Sequence, residues 1–187
     1  MKNQLKTILC IAIVAVAGAS LCFGATSKTD TKKKEAPSAT PAPKSSTAPS
    51  SLSDKDKAFM KEAAKGGQME VDMGHMAEKQ GKSADVKKIG GRMVADHTKA
   101  NNELMAIAKK KGVDLSKEKP KMEKMNDADF DKQYINAMVK DHEKDLSEFQ
   151  AEAKNGSDAD VKAFASKTSE VIKKHLALVK AAQAKLK

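Results

Sequence analysis

The chain has 187 residues, with 35 Lys and Arg against 25 Asp and Glu and a formal charge of +10 at pH 7. Both of its cysteines, Cys10 and Cys22, lie near the N-terminus, so a chain cleaved beyond them has no disulfide and no thiolate chemistry, and any metal would need His, carboxylate or Met. The absence of Trp, the single Tyr and the lack of a recognition module argue against nucleic-acid binding; the positive balance suits either an anionic envelope surface such as lipid head groups or a well-solvated Lys/Glu exterior.

Residues 1–24 read as a secretory signal peptide. Lys2 and Lys6 precede an uncharged apolar run from Ile8 to Ala19, and small residues follow at Gly18, Ala19, Ser20, Gly24 and Ala25. The run is too short to favour a transmembrane span, and cleavage is expected between Ala19 and Ala25. The product is thus expected in the periplasm or cell envelope with no transmembrane span. Leu21 is bulky where lipoprotein processing at Cys22 wants a small residue, which argues against a lipid anchor there.

Residues 25–52 read as a disordered spacer. This stretch is rich in Lys, Ser, Thr, Ala and Pro and holds Pro37, Pro41, Pro43 and Pro49, a composition that cannot bury a core. From position 53 the pattern becomes helical, and no segment alternates as a strand would. Helix one is expected over about 54–80, capped by Ser53 with Asp56 three places on. Helix two, about 84–111, begins after Ser83 and ends in Lys109, Lys110 and Lys111 before Gly112. Helix three is expected over about 127–155, starting near Asn126 or Asp127. Helix four, about 158–186, is expected to start at Ser157.

Connection lengths set the topology. Short turns at Gly81 and Gly156 make two antiparallel hairpins. The link from Gly112 to Asn126 holds 15 residues; extended, it reaches roughly 50 Å, more than the ~42 Å of a 28-residue helix. It can therefore cross the whole bundle and set helices two and three parallel. The expected fold is all-α, a ferritin-like four-helix bundle with one long crossover.

A repeated word points to a site. Met93-Val94-Ala95-Asp96-His97 and Met138-Val139-Lys140-Asp141-His142 share the pattern Met-Val-x-Asp-His. With 100° per residue, Glu70 falls in the helix-one stripe of Phe59, Ala63, Gly66, Met73 and Ala77. His97 falls among Val86, Met93, Ala100, Leu104 and Ile107. His142, with Asp145 beside it, joins Ile135, Met138 and Phe149, and His175 joins Val161, Phe164, Ile172, Val179 and Leu186. His75 faces the opposite way and is expected to be exposed.

Each inward polar residue sits near mid-helix, so Glu70, His97, His142 and His175 are expected in one layer. An unpartnered buried polar group costs about 1–3 kcal/mol, so the set must satisfy one another, a water or a metal. The four would suit a divalent transition metal such as zinc, iron or manganese, with Asp96, Asp141 and Asp145 as orienting acceptors or further ligands. The same residues could equally form a metal-free network that fixes helix register. Met69, Met73 and Met76 beside His75 could hold Cu(I) or simply fill the core. Gly66-Gly67, mid-helix, implies close helix approach.

Further signals run along the domain: Phe59-x3-Ala63-Ala64-x-Gly66-Gly67-x2-Glu70-Val71; the Met93 word with Asn101 and Leu104; Tyr134-x3-Met138 with the second word, Leu146 and Phe149; and His175-Leu176. With these, the chain resembles an uncharacterised bacterial domain-of-unknown-function family of exported proteins with a ferritin-like fold, often labelled predicted outer-membrane proteins. The resemblance covers about Ser53 to Leu186. It implies the crossover bundle and brings no established activity. Di-iron members of the ferritin-like fold carry Glu-x-x-His on two helices; here Val94, Val139 and Ile172 stand three before the histidines, too poor in carboxylate for that cage. The leading expectation is a binding or envelope-stress protein with a mid-bundle metal site and no catalytic residues assigned. The alternatives are a metal-dependent redox enzyme and a basic interaction module for anionic envelope surfaces.

Overall fold

The computed structural model describes residues 52–122 and 124–186. The expected signal peptide and all of the expected spacer but Leu52 lie outside them. Four helices, α1 (Asp54–Gln80), α2 (Ala84–Lys111), α3 (Phe130–Asn155) and α4 (Ala159–Lys185), account for the ordered elements beside one 3-10 turn at Asp127–Asp129. Among the described residues no strand occurs, and none of their helices is long and apolar enough to cross a membrane.

Local chemistry sets the ends. Ser53 Oγ accepts from the Asp56 amide at 3.1 Å while Asp56 Oδ2 accepts from the Ser53 amide at 2.8 Å, closing a capping box on α1. Ser83 caps α2 in the same way through the Val86 amide. That helix stops at Gly112, whose φ of 70° is left-handed. Two starts differ from expectation. Asn126 caps only the 3-10 turn, and α3 begins at Phe130, a fully buried side chain that anchors the helix entrance. The cap of α4 is Asp158, not Ser157: Asp158 Oδ1 accepts from the amides of Asp160 and Val161. The Ser157 amide is instead committed to Asp56.

Contacts between the poles fix the chain directions. Asp131 at the start of α3 accepts from the amides of Lys82 and Ser83 in the α1–α2 turn, at 2.8 Å each. Lys185 reaches Asp85 at 2.8 Å, joining the end of α4 to the start of α2. At the other pole Asp56 accepts from Ser157 and Asp158 in the α3–α4 turn, and Lys110 meets Asp160. Thus α1 and α2 are antiparallel, as are α3 and α4, and α2 and α3 run the same way. This is the one-crossover topology that ferritin-like bundles use. The crossover packs as it goes. Leu115 is buried with Leu104 and Phe164 at one end, and Met122 and Met125 lie on the core at the other.

Two apolar clusters fill the bundle, one around Met93, Tyr134, Met138 and Val179, the other around Met60, Leu104, Phe149 and Ile172. Met73 is 3% exposed, and Met69 and Met76 pack beside it, so the methionine group is core filling. Met60, Ile89 and Tyr134, which no stripe contained, are buried, whereas Phe59, Ile107 and Leu186 are only half-buried flanks. Leu52, placed in the spacer by composition, packs against the second cluster. The close helix approach expected at Gly66-Gly67 is present at Gly67, where a Cβ would stand 2.1 Å from Asn101 Oδ1. A second one, against backbone and not a side chain, pairs Gly74 with Gly90. A Cβ on Gly90 would lie 2.6 Å from the Gly74 carbonyl oxygen. Helix α1 therefore lies almost backbone to backbone on α2, which brings Glu70 and His97 to the same level.

Candidate metal centre

Between the two clusters lies a polar layer with one residue from each helix. Glu70, His97, His142 and His175 are exposed by 1%, 5%, 0% and 1%. The rings of His97 and His142 meet edge to face with centroids 5.6 Å apart; those of His97 and His175 are 5.2 Å apart, and those of His142 and His175 5.4 Å. One nitrogen from each of the three rings lies within 4.8 Å of the others. His75 stands apart on the surface, its side chain 61% exposed and 3.1 Å from Glu78.

The partners of each ring assign its tautomer. His142 Nδ1 lies 2.9 Å from the Met138 carbonyl oxygen, one turn earlier on α3. A carbonyl only accepts, so Nδ1 carries the hydrogen and Nε2 keeps a lone pair. His175 Nε2 lies 2.9 Å from Asp96 Oδ2, so Nε2–H donates there and Nδ1 keeps the lone pair. Those two lone-pair nitrogens face each other at 3.4 Å. A hydrogen bond between them would need one ring to be a cation. Burial pushes both rings the other way, His142 below its usual value and His175 down to about 4. His97 Nδ1 approaches Glu70 Oε2 at 2.8 Å, and its Nε2 is buried without a hydrogen-bond partner.

The carboxylates sit behind the rings. Glu70 Oε1 lies 3.1 Å from His142 Nδ1 and Oε2 2.8 Å from His97 Nδ1. Neither contact meets strict hydrogen-bond geometry; charge attraction dominates, and the 2.8 Å approach of His97 adds to it. Burial alone would raise the Glu70 pKa, but the adjacent His97 and His142 override it and hold the carboxyl below its ordinary range. For His97 the balance also runs against burial, and the Glu70 charge raises it. Asp96 is likewise held low against burial by His175 and by Arg92, whose Nε is 3.0 Å away. Glu70 and Asp96 thus occupy the positions from which carboxylates orient metal-binding imidazoles.

The other expected acidic residues lie further out. Burial and the nearby Glu70 charge push Asp145 up to about 7, and its Oδ2 faces the space beside Gly66. Asp141 is half-buried and adds to that shift through its charge. Val94 and Ala100 are half-buried, and Val139 and Ile172 are buried apolar residues, so the layer contains no bridging carboxylate pair of the di-iron kind. Sequence reasoning placed Met138 on the core stripe but gave no role to its carbonyl, which fixes the His142 tautomer, and it passed over Arg92, which stands four residues before Asp96 on one helix face, a spacing visible in the chain. A cavity of about 100 Å³ between α2 and α4 also reaches His97 and Asp96; no linear pattern announces it.

Residues 41–182 match a family described as DUF4142, a domain of unknown function. The crystal structure of a DUF305 fragment from Deinococcus radiodurans superposes with a TM-score of 0.60 at 8% identity, over 72% of this chain and 98% of that one. At that identity the likeness shows the fold alone. No curated protein matches the chain. The family match runs through the whole polar layer, from before α1 to the last turn of α4, and the chain belongs to the DUF4142 family of domains of unknown function.

Proposed function

We propose that the protein is an exported metal-binding bundle that holds one divalent first-row ion on His97, His142 and His175. Glu70 and Asp96 orient the rings from behind. The observation that carries this reading is the pair of lone-pair nitrogens facing each other across 3.4 Å in a buried layer, with the unpartnered His97 Nε2 beside them. Two nitrogens bound at ~2.0–2.1 Å to one tetrahedral ion stand about 3.3 Å apart. Without a cation the same pair is mutually repulsive, and the buried His97 nitrogen forgoes about 1–3 kcal/mol. All-imidazole donors suit zinc and iron(II) better than manganese, which prefers oxygen. Three histidines leave a fourth position open, in the manner of catalytic rather than structural zinc sites.

Export follows from the reading of residues 1–24, and contact of the basic 25–52 segment with anionic envelope surfaces from its charge; salt-sensitive binding to anionic vesicles checks the latter. For the metal, elemental analysis of protein purified without chelator or affinity tag should give close to one ion per chain. His97→Ala should lose it and His75→Ala should keep it. Equal metal content in the two variants refutes the assignment.

One observation favours a second reading. The Glu70 carboxylate raises the His97 pKa, so an imidazolium–carboxylate pair could by itself lock the register of α1 on α2. A lock of that kind takes up no metal, and chelators leave its melting temperature unchanged.

A further inference from the structure

This inference rests on the metal reading above and concerns what reaches the ion. The cavity between α2 and α4 has a volume of about 100 Å³, room for about three waters. Its inner wall includes His97 and Thr168, 5% and 7% exposed, and its outer residues include the exposed Lys99 and Lys167. Half-buried Ala100 and Val171 also line it. The buried nitrogen of His97 that lacks a partner thus belongs to a side chain that lines an opening to solvent.

The charges that line the opening balance, Lys99 and Lys167 against Asp96 and Glu103, and Arg92 beside it adds a positive charge on Asp96. Asp96 is engaged by His175 and Arg92, and Glu103 by Lys167 at 2.6 Å. Lys99 forms no ion pair among the described residues, so with Arg92 counted the surroundings of the opening carry one positive charge more than negative. A positive mouth on a narrow apolar-walled passage concentrates anions. Its size limits them to a few atoms.

We propose that the α2–α4 cavity is the access port of the three-histidine centre, and that a small monoanion of the size of azide or bicarbonate enters it to take the open coordination position. The passage selects by charge through Lys99 and by size through Ala100.

The test uses the full chain loaded with Co(II), whose visible bands report coordination, and sodium azide as the probe. Azide should shift the bands saturably in the wild type. Ala100→Phe, which enlarges a side chain that lines the passage and alters no histidine, should keep cobalt and lose the azide response. Lys99→Glu, at an exposed position, should keep cobalt and weaken azide about tenfold, the factor expected where one charge at the mouth reverses. Should Ala100→Phe fail to fold by circular dichroism, Lys99→Glu decides. Failure to take up cobalt overturns the metal reading itself. Cobalt uptake with no azide response leaves that reading standing and overturns the port, as does an azide response unchanged in the variants that retain cobalt.

Discussion

Glu70→Gln separates a metal site from a register lock. The substitution keeps the shape of a 1%-exposed side chain and removes the charge that faces both His97 and His142. Carboxylates behind metal-binding imidazoles contribute about 10–100-fold in affinity. An ion at 100 times its dissociation constant stabilises the fold by about 2.7 kcal/mol. For a domain of this size that raises the melting temperature by about 10 °C. Weakening the site 10–100-fold at the same ion concentration leaves about 1.4 to 0.4 kcal/mol, a shift of about 5 °C or less. Differential scanning calorimetry with and without zinc gives both numbers. If Glu70→Gln keeps the full wild-type shift, Glu70 does not support the ligands. If wild type shows no shift and Glu70→Gln destabilises the metal-free protein by more than about 3 kcal/mol, as breaking a buried pair does, the register lock is the correct account.

Other expectations follow from particular contacts. In Gly90→Ala the added Cβ meets the Gly74 carbonyl at 2.6 Å and Ala77 Cβ at 2.7 Å; the clash should cost about 2–3 kcal/mol in urea unfolding and outweigh the ~1 kcal/mol gained in helix propensity. Asp56→Ala removes the acceptor of the Ser53, Ser157 and Asp158 amides and should cost about 3 kcal/mol, whereas a loss below ~1 kcal/mol would mean that water replaces it. Burial and a hydrogen bond to Asp56 push Glu152 up to about 7. Its folded form therefore holds a proton that the unfolded chain releases near 4.5, and its contribution falls as pH rises from about 4.5 to 7. Glu152→Gln, which cannot ionise and still offers an N–H to Asp56, should flatten that decline in the urea midpoint; an unchanged pH slope refutes the assignment.

Much of the bundle is legible in the chain because its signals are local. Ser53 with Asp56, Ser83 and Gly112 act within a turn of themselves, and the 15-residue link sets the topology through its length alone. The inward positions of Glu70, His97, His142 and His175 follow from helical period. Tertiary terms are what the period misses. Asp158 rather than Ser157 caps α4, in a turn whose Ser157 and Asp158 amides are both held by Asp56, about a hundred residues away. The Gly74–Gly90 contact needs two helices at once, and neither glycine stands out in its own segment. Period also fails to say which face of a ring points where. Glu70 is in the same layer as the histidines, but it meets their Nδ1 edges, and only the partners of the opposite nitrogens distinguish a ligand from an orienting group.

That distinction determines what kind of chemistry the layer can host. A ferritin-like bundle with two Glu-x-x-His words surrounds two irons with bridging carboxylates. Here the positions three before the histidines are Val94, Val139 and Ile172, so nothing bridges two ions. Of the remaining carboxylates, Asp96 accepts from the His175 ring, and Glu70 lies beside the Nδ1 edges of His97 and His142. In the proposed site, three neutral imidazoles around one ion would leave its charge largely uncompensated by its ligands, with Glu70 and Asp96 acting from one ring further out. Such an ion is a stronger Lewis acid than one already bound by anions, and it favours an incoming anion or a deprotonated water in its open position. The valines and isoleucine that stand three before the histidines on α2, α3 and α4 thus argue against a dinuclear oxygen site and fit the mononuclear site proposed above, with one exchangeable ligand.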